Sequence, residues 1–251
     1  MLNLTKEMKK ELAKKLNENR TVKMFWDTFK DDIDSPKLTR PYTSNGNQKL
    51  KSGDKVSFII WNLPAVITCP YRTKMCEGSC YAIKAEKQYG YDCLRRRFAN
   101  YVLSTKDDFV EVMIKHLESK IKHNSRKGKT IVIRIHESGD FYNKVYAMKW
   151  LAIAKYFENR YSDRNVVFMA YTKSIPYFEG ENIPSNFCIR ASIWADTDAK
   201  LVEMYSKYPI YTAMDADEMK ACKALHCRCA DCGTCGMCWD KMAKLIACAI
   251  H

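Results

Sequence analysis

The sequence predicts an α/β protein, a partial (β/α) barrel with parallel strands and a cysteine-rich segment towards its C-terminal end. Three observations predict it. Short β-branched stretches alternate with helical patterns, as crossovers between parallel strands require. Several of these stretches end in polar residues just before a turn, where α/β barrels gather their functional groups. Nine of the twelve cysteines fall into two groups, one after the first of these strands and one near the C-terminal end.

The elements follow in order. Residues 5–20 read as a charged helix, with Met8, Leu12 and Leu16 at helical spacing. Residues 30–53 are polar and turn-rich and form a lead-in. Strands are expected at 56–60, 130–135, 165–171, 187–191 and 209–213. Helices are expected at about 94–122, 143–160 and 196–207, the second with Val145, Met148, Ala152 and Tyr156 on its packed face. About five or six strands are visible, fewer than a complete barrel holds. Three segments result: residues 1–54 as N-terminal helix and lead-in, 55–215 as the partial barrel, and 216–251 as a cysteine-rich, cluster-binding tail.

Composition narrows the class. The 251 residues are 47% hydrophobic and 28% charged, which is globular rather than disordered. No apolar run is long enough to span a bilayer, and the first residues carry no apolar signal core. A cytoplasmic protein, with no membrane partner, is expected. In that reducing compartment clustered cysteines point to metal rather than to disulfides. The formal charge of +13 favours nucleic acid or another polyanion as a partner, with a plain solubility surface as the alternative.

The first cysteine group is Cys69-x6-Cys76-x3-Cys80. Three thiolates from one loop can hold three irons of a [4Fe–4S] cubane and leave the fourth iron open. Zinc prefers closer pairs and four ligands. Cys93 is a candidate fourth ligand, which would close the site and make it structural. The second group packs Cys222, Cys227, Cys229, Cys232, Cys235 and Cys238 into one stretch. Its spacing is similar to a ferredoxin run, but Trp239 stands where that run has proline. Cys222, Cys232, Cys235 and Cys238 are the preferred four, with Cys227 and Cys229 spare; a zinc knuckle is the alternative. Lys220, Lys223, Arg228 and Lys241 flank the group and would offset cluster charge. Two [4Fe–4S] clusters are therefore expected.

Other polar positions stand out. Arg134 and His136 alternate with Ile133 and Ile135, so a regular strand puts both on one face. Asp140 could instead cap the helix that starts near Asn143. Lys173, at a strand end, is a candidate for phosphate or carboxylate, against the commoner solvated lysine. His116 and His123 read as surface residues.

Two resemblances follow from these motifs. Leu63-Pro64-Ala65, Thr68-Cys69-Pro70, Cys76, Cys80-Tyr81-Ala82, the segment from Arg134 to Tyr142, the turn from Tyr171 to Ser174 and the terminal Cys232-x2-Cys235-x2-Cys238-Trp239 resemble the phage-encoded gene-product-eighty-eight family. The resemblance spans residues 55–240 and brings little function with it. It implies a place in the host cytoplasm. More loosely, the loop cysteines, the neighbouring aromatic Tyr81 and the acidic turn Glu137-Ser138-Gly139-Asp140 resemble radical S-adenosylmethionine enzymes. That resemblance implies S-adenosylmethionine at the open cluster, with Tyr81 near its adenine and Glu137, Ser138 and Asp140 near its amino group or ribose. It also implies a reductant such as a flavodoxin or ferredoxin. The chain lacks the usual C-x3-C-x2-C spacing. A nucleic-acid-binding protein or nuclease with structural iron–sulfur or zinc sites is the alternative.

Overall fold

The computed structural model describes residues 4–33, 40–47, 50, 52–53, 55–124, 129–161, 166–227 and 231–250. It is a mixed α/β structure around one mostly parallel sheet. The strands are β1 (Thr43–Ser44), β2 (Val56–Trp61), β3 (Thr130–Ile135), β4 (Val166–Thr172), β5 (Phe187–Ile193), β6 (Ile210–Met214), β7 (Leu225–His226) and β8 (Leu245–Ala249). Their order across the sheet is β1-β2-β3-β4-β5-β6-β8-β7. Among the described residues only β1 pairs antiparallel. The outermost strands, β1 and β7, have two residues each, which leaves little unpaired edge.

The central strands are buried on both faces, as parallel strands must be. Ile59, Trp61, Ile131, Ile133, Ile135, Phe168 and Ile189 point into the main core. There they meet α5 (Phe109–Asn124) and α6 (Lys144–Arg160). Phe58, Ile60, Val132 and Met169 point the other way, towards Cys232, Cys238 and Trp239 of the cysteine-rich tail. A third cluster joins α1 (Lys6–Glu18), α2 (Val22–Ile33) and α4 (Tyr81–Thr105) through Leu16, Phe25, Phe29, Leu94 and Phe98. Among the described residues there are also short helices α3 (Lys74–Gly78), α7 (Ala199–Tyr205), α8 (Ala216–Ala221) and α9 (Cys232–Cys235).

Several expectations need correction. The single helix expected at 94–122 is two, α4 and α5, parted at residues 106–108. Helix α4 itself breaks at Gly90, whose φ of 62° and ψ of −146° suit glycine alone. On α6 the packed stripe is Tyr146, Ala147, Trp150, Leu151, Ile153, Ala154 and Phe157. Val145, expected inside, is 66% exposed. Ala152 is exposed as well, while Met148 and Tyr156 pack against the core at the edge of this stripe. The tail from residue 216 supplies β8, which pairs in register with β6 from Ile210↔Leu245 to Met214↔Ala249.

His116 is partly enclosed rather than a free surface residue, with Nε2 2.9 Å from Thr43 Oγ1. Burial, with Lys120 and Arg40 nearby, lowers its pKa to about 4. The unfolded ring takes up a proton near pH 6.5, so the stability it contributes is complete above that value and is lost as pH falls towards 4. His136, also held neutral by burial, adds to the same slope. Unfolding free energies from urea titrations at about pH 7.5 and about pH 5.5 should differ less for His116→Gln than for the native chain, by about 1 kcal/mol once screening of a partly exposed ring is allowed for. Equal pH slopes would remove His116 from the acid response.

Candidate functional site

The loop after β2 carries the first cysteine group and lies at the C-terminal ends of the parallel strands. Cys69 sits in a turn, its N–H donating to the Val66 carbonyl at 3.0 Å. Cys76 lies on α3, where the Thr73 hydroxyl accepts from the Cys76 N–H at 3.2 Å. Cys80 occupies the N-cap position of α4 but makes no side-chain cap bond. The three thiols are electrostatic neighbours: Cys69 feels Cys76 and Cys80, and Cys76 feels Cys80. Burial pushes Cys69 far up and raises Cys76 as well, so both are thiols in the chain by itself. The groups that act most on Cys93 are Arg97, Glu86, Arg96 and Arg20, not the loop thiols.

The acidic turn after β3 is the seat of this loop. Asn62 Oδ1 accepts from the N–H of Glu137 at 2.8 Å and of Ser138 at 3.0 Å. Leu63 N–H donates to the Ser138 carbonyl at 2.9 Å, and Asp140 N–H to the Thr68 carbonyl at 3.2 Å. Gly139 lies between them with φ at 82°. A Cβ there would meet Thr68 Oγ1 at 2.6 Å and Leu63 Cβ at 2.7 Å. The contact between turn and loop thus needs glycine.

The acidic-turn residues differ in what they leave free. Ser138 is buried and donates to the Leu63 carbonyl at 2.8 Å. Asp140 accepts from the N–H of Phe141 at 2.7 Å, from the N–H of Lys173 at 3.0 Å and from the Thr172 hydroxyl. Burial raises its pKa against those bonds. Asp140 therefore latches the end of β3 to the end of β4. It does not cap α6; Asn143 does, accepting from Tyr146 N–H at 2.8 Å. Glu137 is partly exposed, and its carboxylate accepts from Asn47 and Asn62. Burial raises its pKa. Tyr81 donates its hydroxyl to the Glu137 carbonyl while half its surface faces solvent.

Lys173 is not solvated. It is 5% exposed, donates to Ser192 Oγ at 2.9 Å and stands over the Trp194 ring. Burial lowers its pKa; Cys76, Asp140, Cys69 and Asp196 act against that. The expected shared face of Arg134 and His136 does not form. His136 takes a positive φ of 64°, which ends the alternation. It turns to Tyr146 and Phe141 in the helix-side core, with Nε2 2.9 Å from the Tyr146 hydroxyl. Arg134 stays on the opposite face, over the Tyr171 ring.

The second cysteine group lies on that opposite face. Cys232 and Cys235 are on α9, and Cys238 is on the 3₁₀ turn Met237–Trp239. Gly236 links the two with φ at 70°. Cys232 is pushed up to about 11 by burial and by Cys238, Cys227 and Cys235. Cys227 also acts on Cys238. Cys222 caps α8, and its Sγ accepts from Ala224 N–H at 3.4 Å. Cys229 and Arg228 lie outside the described residues. The cations acting on Cys238 are Arg134 and Arg190, from the sheet. Of the flanking lysines, Lys220 pairs with Asp217 and Lys241 donates to the Pro184 carbonyl. Arg190 has no exposed surface. It donates to the carbonyls of Cys238 (2.8 Å), Met237 (2.8 Å), Ala243 (2.6 Å) and Asp240. This one side chain fastens the tail to the sheet, and sequence reasoning missed it; its place between Ile189 and Ala191 in a buried strand was the available signal.

Among the described residues no group of three or more His, Cys, Asp or Glu side chains is arranged to hold a single metal ion. Donors on one ion meet it at about 2.3 Å when they are thiolates. Thiolates on separate irons of a cluster stand further apart.

Fold and site define an α/β protein with a parallel sheet, a cysteine-bearing loop at its strand ends and a cysteine-rich tail across one face. A family model described as gene product 88 matches residues 35–241. The chain belongs to that phage gene-product family. No curated protein and no solved structure matches it. No helix among the described residues is long and apolar enough to cross a membrane.

Replacing Gly139 by Ala should cost at least about 2 kcal/mol in denaturant unfolding, because strain and clash act together. Gly90→Ala, with φ at 62° but nothing within 4 Å of its Cβ, is the control for strain alone and should cost less. Equal losses would mean that the contact of Gly139 with the cysteine loop contributes nothing.

Proposed function

We propose that the protein is an iron–sulfur protein of radical-SAM-like type, with an open [4Fe–4S] cluster on Cys69, Cys76 and Cys80 and a second cluster on the C-terminal cysteines. The observation that carries the reading is the loop itself. Three mutually neighbouring thiols follow the first strand of a run of parallel neighbours, β2-β3-β4-β5-β6-β8, an order that a partial barrel would also have. The donors are all thiols, one of them at a helix N-cap with no competing bond, and they suit iron better than a hard cation. When bound, the cluster would supply one-electron reducing power to the sulfonium of S-adenosylmethionine.

The chain's own residues have defined tasks in this reading. Lys173 puts a buried positive charge beside Cys76 and Cys69 and offsets thiolate charge. Tyr81, fixed to the turn by its hydroxyl, offers a half-exposed ring to an adenine. Glu137 presents a partly exposed carboxylate to the amino group. Ser138 and Asp140 hold the turn and loop in register and have little left to give a ligand. In the second group Cys227 joins Cys232, Cys235 and Cys238 in place of Cys222. One feature favours the other reading, nucleic-acid binding with structural metal sites: the formal charge of +13. Binding that weakens steeply with salt and ignores S-adenosylmethionine would favour it.

The chain purified without oxygen and reduced should give a four-iron EPR signal that changes when S-adenosylmethionine is added. Cys93→Ala should leave that change intact. Cys227→Ala should lower iron content more than Cys222→Ala does. Clusters indifferent to S-adenosylmethionine, or a colourless zinc protein, would sink the proposal.

A further inference from the structure

Two arginines lie on the sheet face that the cysteine-rich tail covers, and they differ in one respect. Arg190 on β5 is saturated, each of its nitrogens donating to a carbonyl of the tail. Arg134 on β3 is only 7% exposed, yet its Nε and Nη1 are enclosed and have no hydrogen-bond partner among the described residues. Its guanidinium carbon stands 3.8 Å from the centre of the Tyr171 ring, which stacks in turn on Tyr211 at 4.2 Å. No carboxylate forms an ion pair with Arg134 among the described residues. Glu137 is close enough to act on its charge, but the Glu137 oxygens accept from Asn47 and Asn62.

A buried guanidinium with open donors is costly, because its desolvation is not offset by hydrogen bonds. The ring stack fixes its position without using those donors. Its charged and titratable neighbours are Tyr171, Tyr81, Glu137 and Cys238, and it also acts on Cys232 and on His136. It therefore stands between the loop group, through Tyr81 next to Cys80, and the tail group. Tyr81 and Glu137 both reach solvent, which gives a small ligand a way in.

We propose that Arg134 anchors an anion subsite on this sheet face, between the two cysteine groups, for a small molecule bearing a carboxylate or a phosphate. The fork of a guanidinium matches two oxygens of either group. Tyr171 holds the fork in place, and the tail fastened by Arg190 covers the site. The inference deepens the proposed function by giving its substrate a chemical class, and rests on that reading only for which cofactor flanks the anion.

The test uses the full chain purified without oxygen, and follows thermal unfolding while sodium phosphate or sodium acetate is titrated against sodium chloride at matched ionic strength. The native chain should show a saturable rise in its midpoint with one of the two, and the effective anion tells phosphate from carboxylate. Arg134→Met should lose that rise, with affinity reduced at least ~10-fold. Without the anion its midpoint should equal or exceed the native one, since an unpaired charge has been removed. Arg134→Lys keeps the charge without the fork and should bind more weakly than the native chain, which keeps the test open if the methionine variant does not fold. Equal saturable responses in native and variant chains, or none in the native chain, would overturn the subsite. So would a methionine variant that folds but is markedly less stable without anion, since Arg134 would then serve the tail thiols. Iron content measured on the same samples separates the two ideas: normal iron with no Arg134-dependent response defeats the subsite alone, and iron-free protein with the response intact defeats the cluster reading alone.

Discussion

The geometry of the cysteine loop depends on one buried carboxylate. Glu86 on α4 has no exposed surface and accepts from Arg20, from Arg97 at 2.6 Å, from the Ala65 N–H at 3.1 Å and from the Ser138 hydroxyl at 3.4 Å. Arg20, just beyond α1, also donates to the Ala65 carbonyl. One side chain thereby joins α1, α4, the base of the loop and the acidic turn. Removing a charge of this kind from water costs several kcal/mol, and only a full set of donors offsets it. Glu86 has that set. Losing any one partner would leave a buried charge short of a bond, so the contact holds these elements to one another. The thiols inherit this rigidity: Cys80 starts the helix that carries Glu86, and Cys69 follows the segment that Glu86 grips.

The second organising constraint comes from the sheet. Parallel strands must be covered on both faces. Helices α5 and α6 cover one face. Over the other lies the tail, whose small apolar contribution is Trp239 against Phe58 together with Cys232 and Cys238. That contact is thin beside the helix-side core, and Arg190 supplements it with directional bonds to four tail carbonyls. A short, polar, glycine-containing segment can cover a strand face in this way because its backbone, rather than its side chains, supplies the partners. The consequence for function is local: Cys232 and Cys238 are set against the sheet, while Cys235 faces solvent.

Much of this was legible in the sequence, and the failures have physical causes. Five strands showed as short runs of apolar, aromatic and β-branched residues. The acidic turn and both cysteine groups were visible as motifs. Strand β8 was not, because Leu245-Ile246-Ala247-Cys248-Ala249 follows directly on a segment that reads as a metal knot. The packed face of α6 was half legible: Met148 and Tyr156 lie at its edge, but the larger Tyr146, Trp150 and Phe157 form its centre and leave Val145 outside. His136 was placed with Arg134 by a period-two rule that a single positive φ cancels. Lys173 read as a solvated lysine in the commoner case, since nothing local announces that Trp194, Ser192 and the loop converge on it. The partners of Arg190 lie some fifty positions away in sequence, beyond any local pattern.

The distribution of buried charge bears on what the site is for. On the surface, the excess of lysine and arginine is solvated and costs little. Beside the cysteines three cations are enclosed, Lys173 at the loop and Arg134 and Arg190 against the tail, whereas Arg72, which donates to the Cys69 carbonyl, is exposed. Burial raises the pKa of Cys69, Cys76, Cys232 and Cys238, so without a ligand these thiols stay protonated and supply no negative charge to the cations. Arg190 meets its need with carbonyls, and Lys173 partly with Ser192 and the neighbouring Asp140. Arg134 does neither. Metal binding to thiols releases their protons and creates thiolate charge, and that would change the balance for Lys173 first, since Cys76 and Cys69 are its neighbours. The Nε and Nη1 donors of Arg134 would still need oxygen at hydrogen-bond distance, which a distant thiolate charge does not provide. The two cations thus answer to different partners, one to the charge of the loop and the other to a ligand that brings its own oxygens.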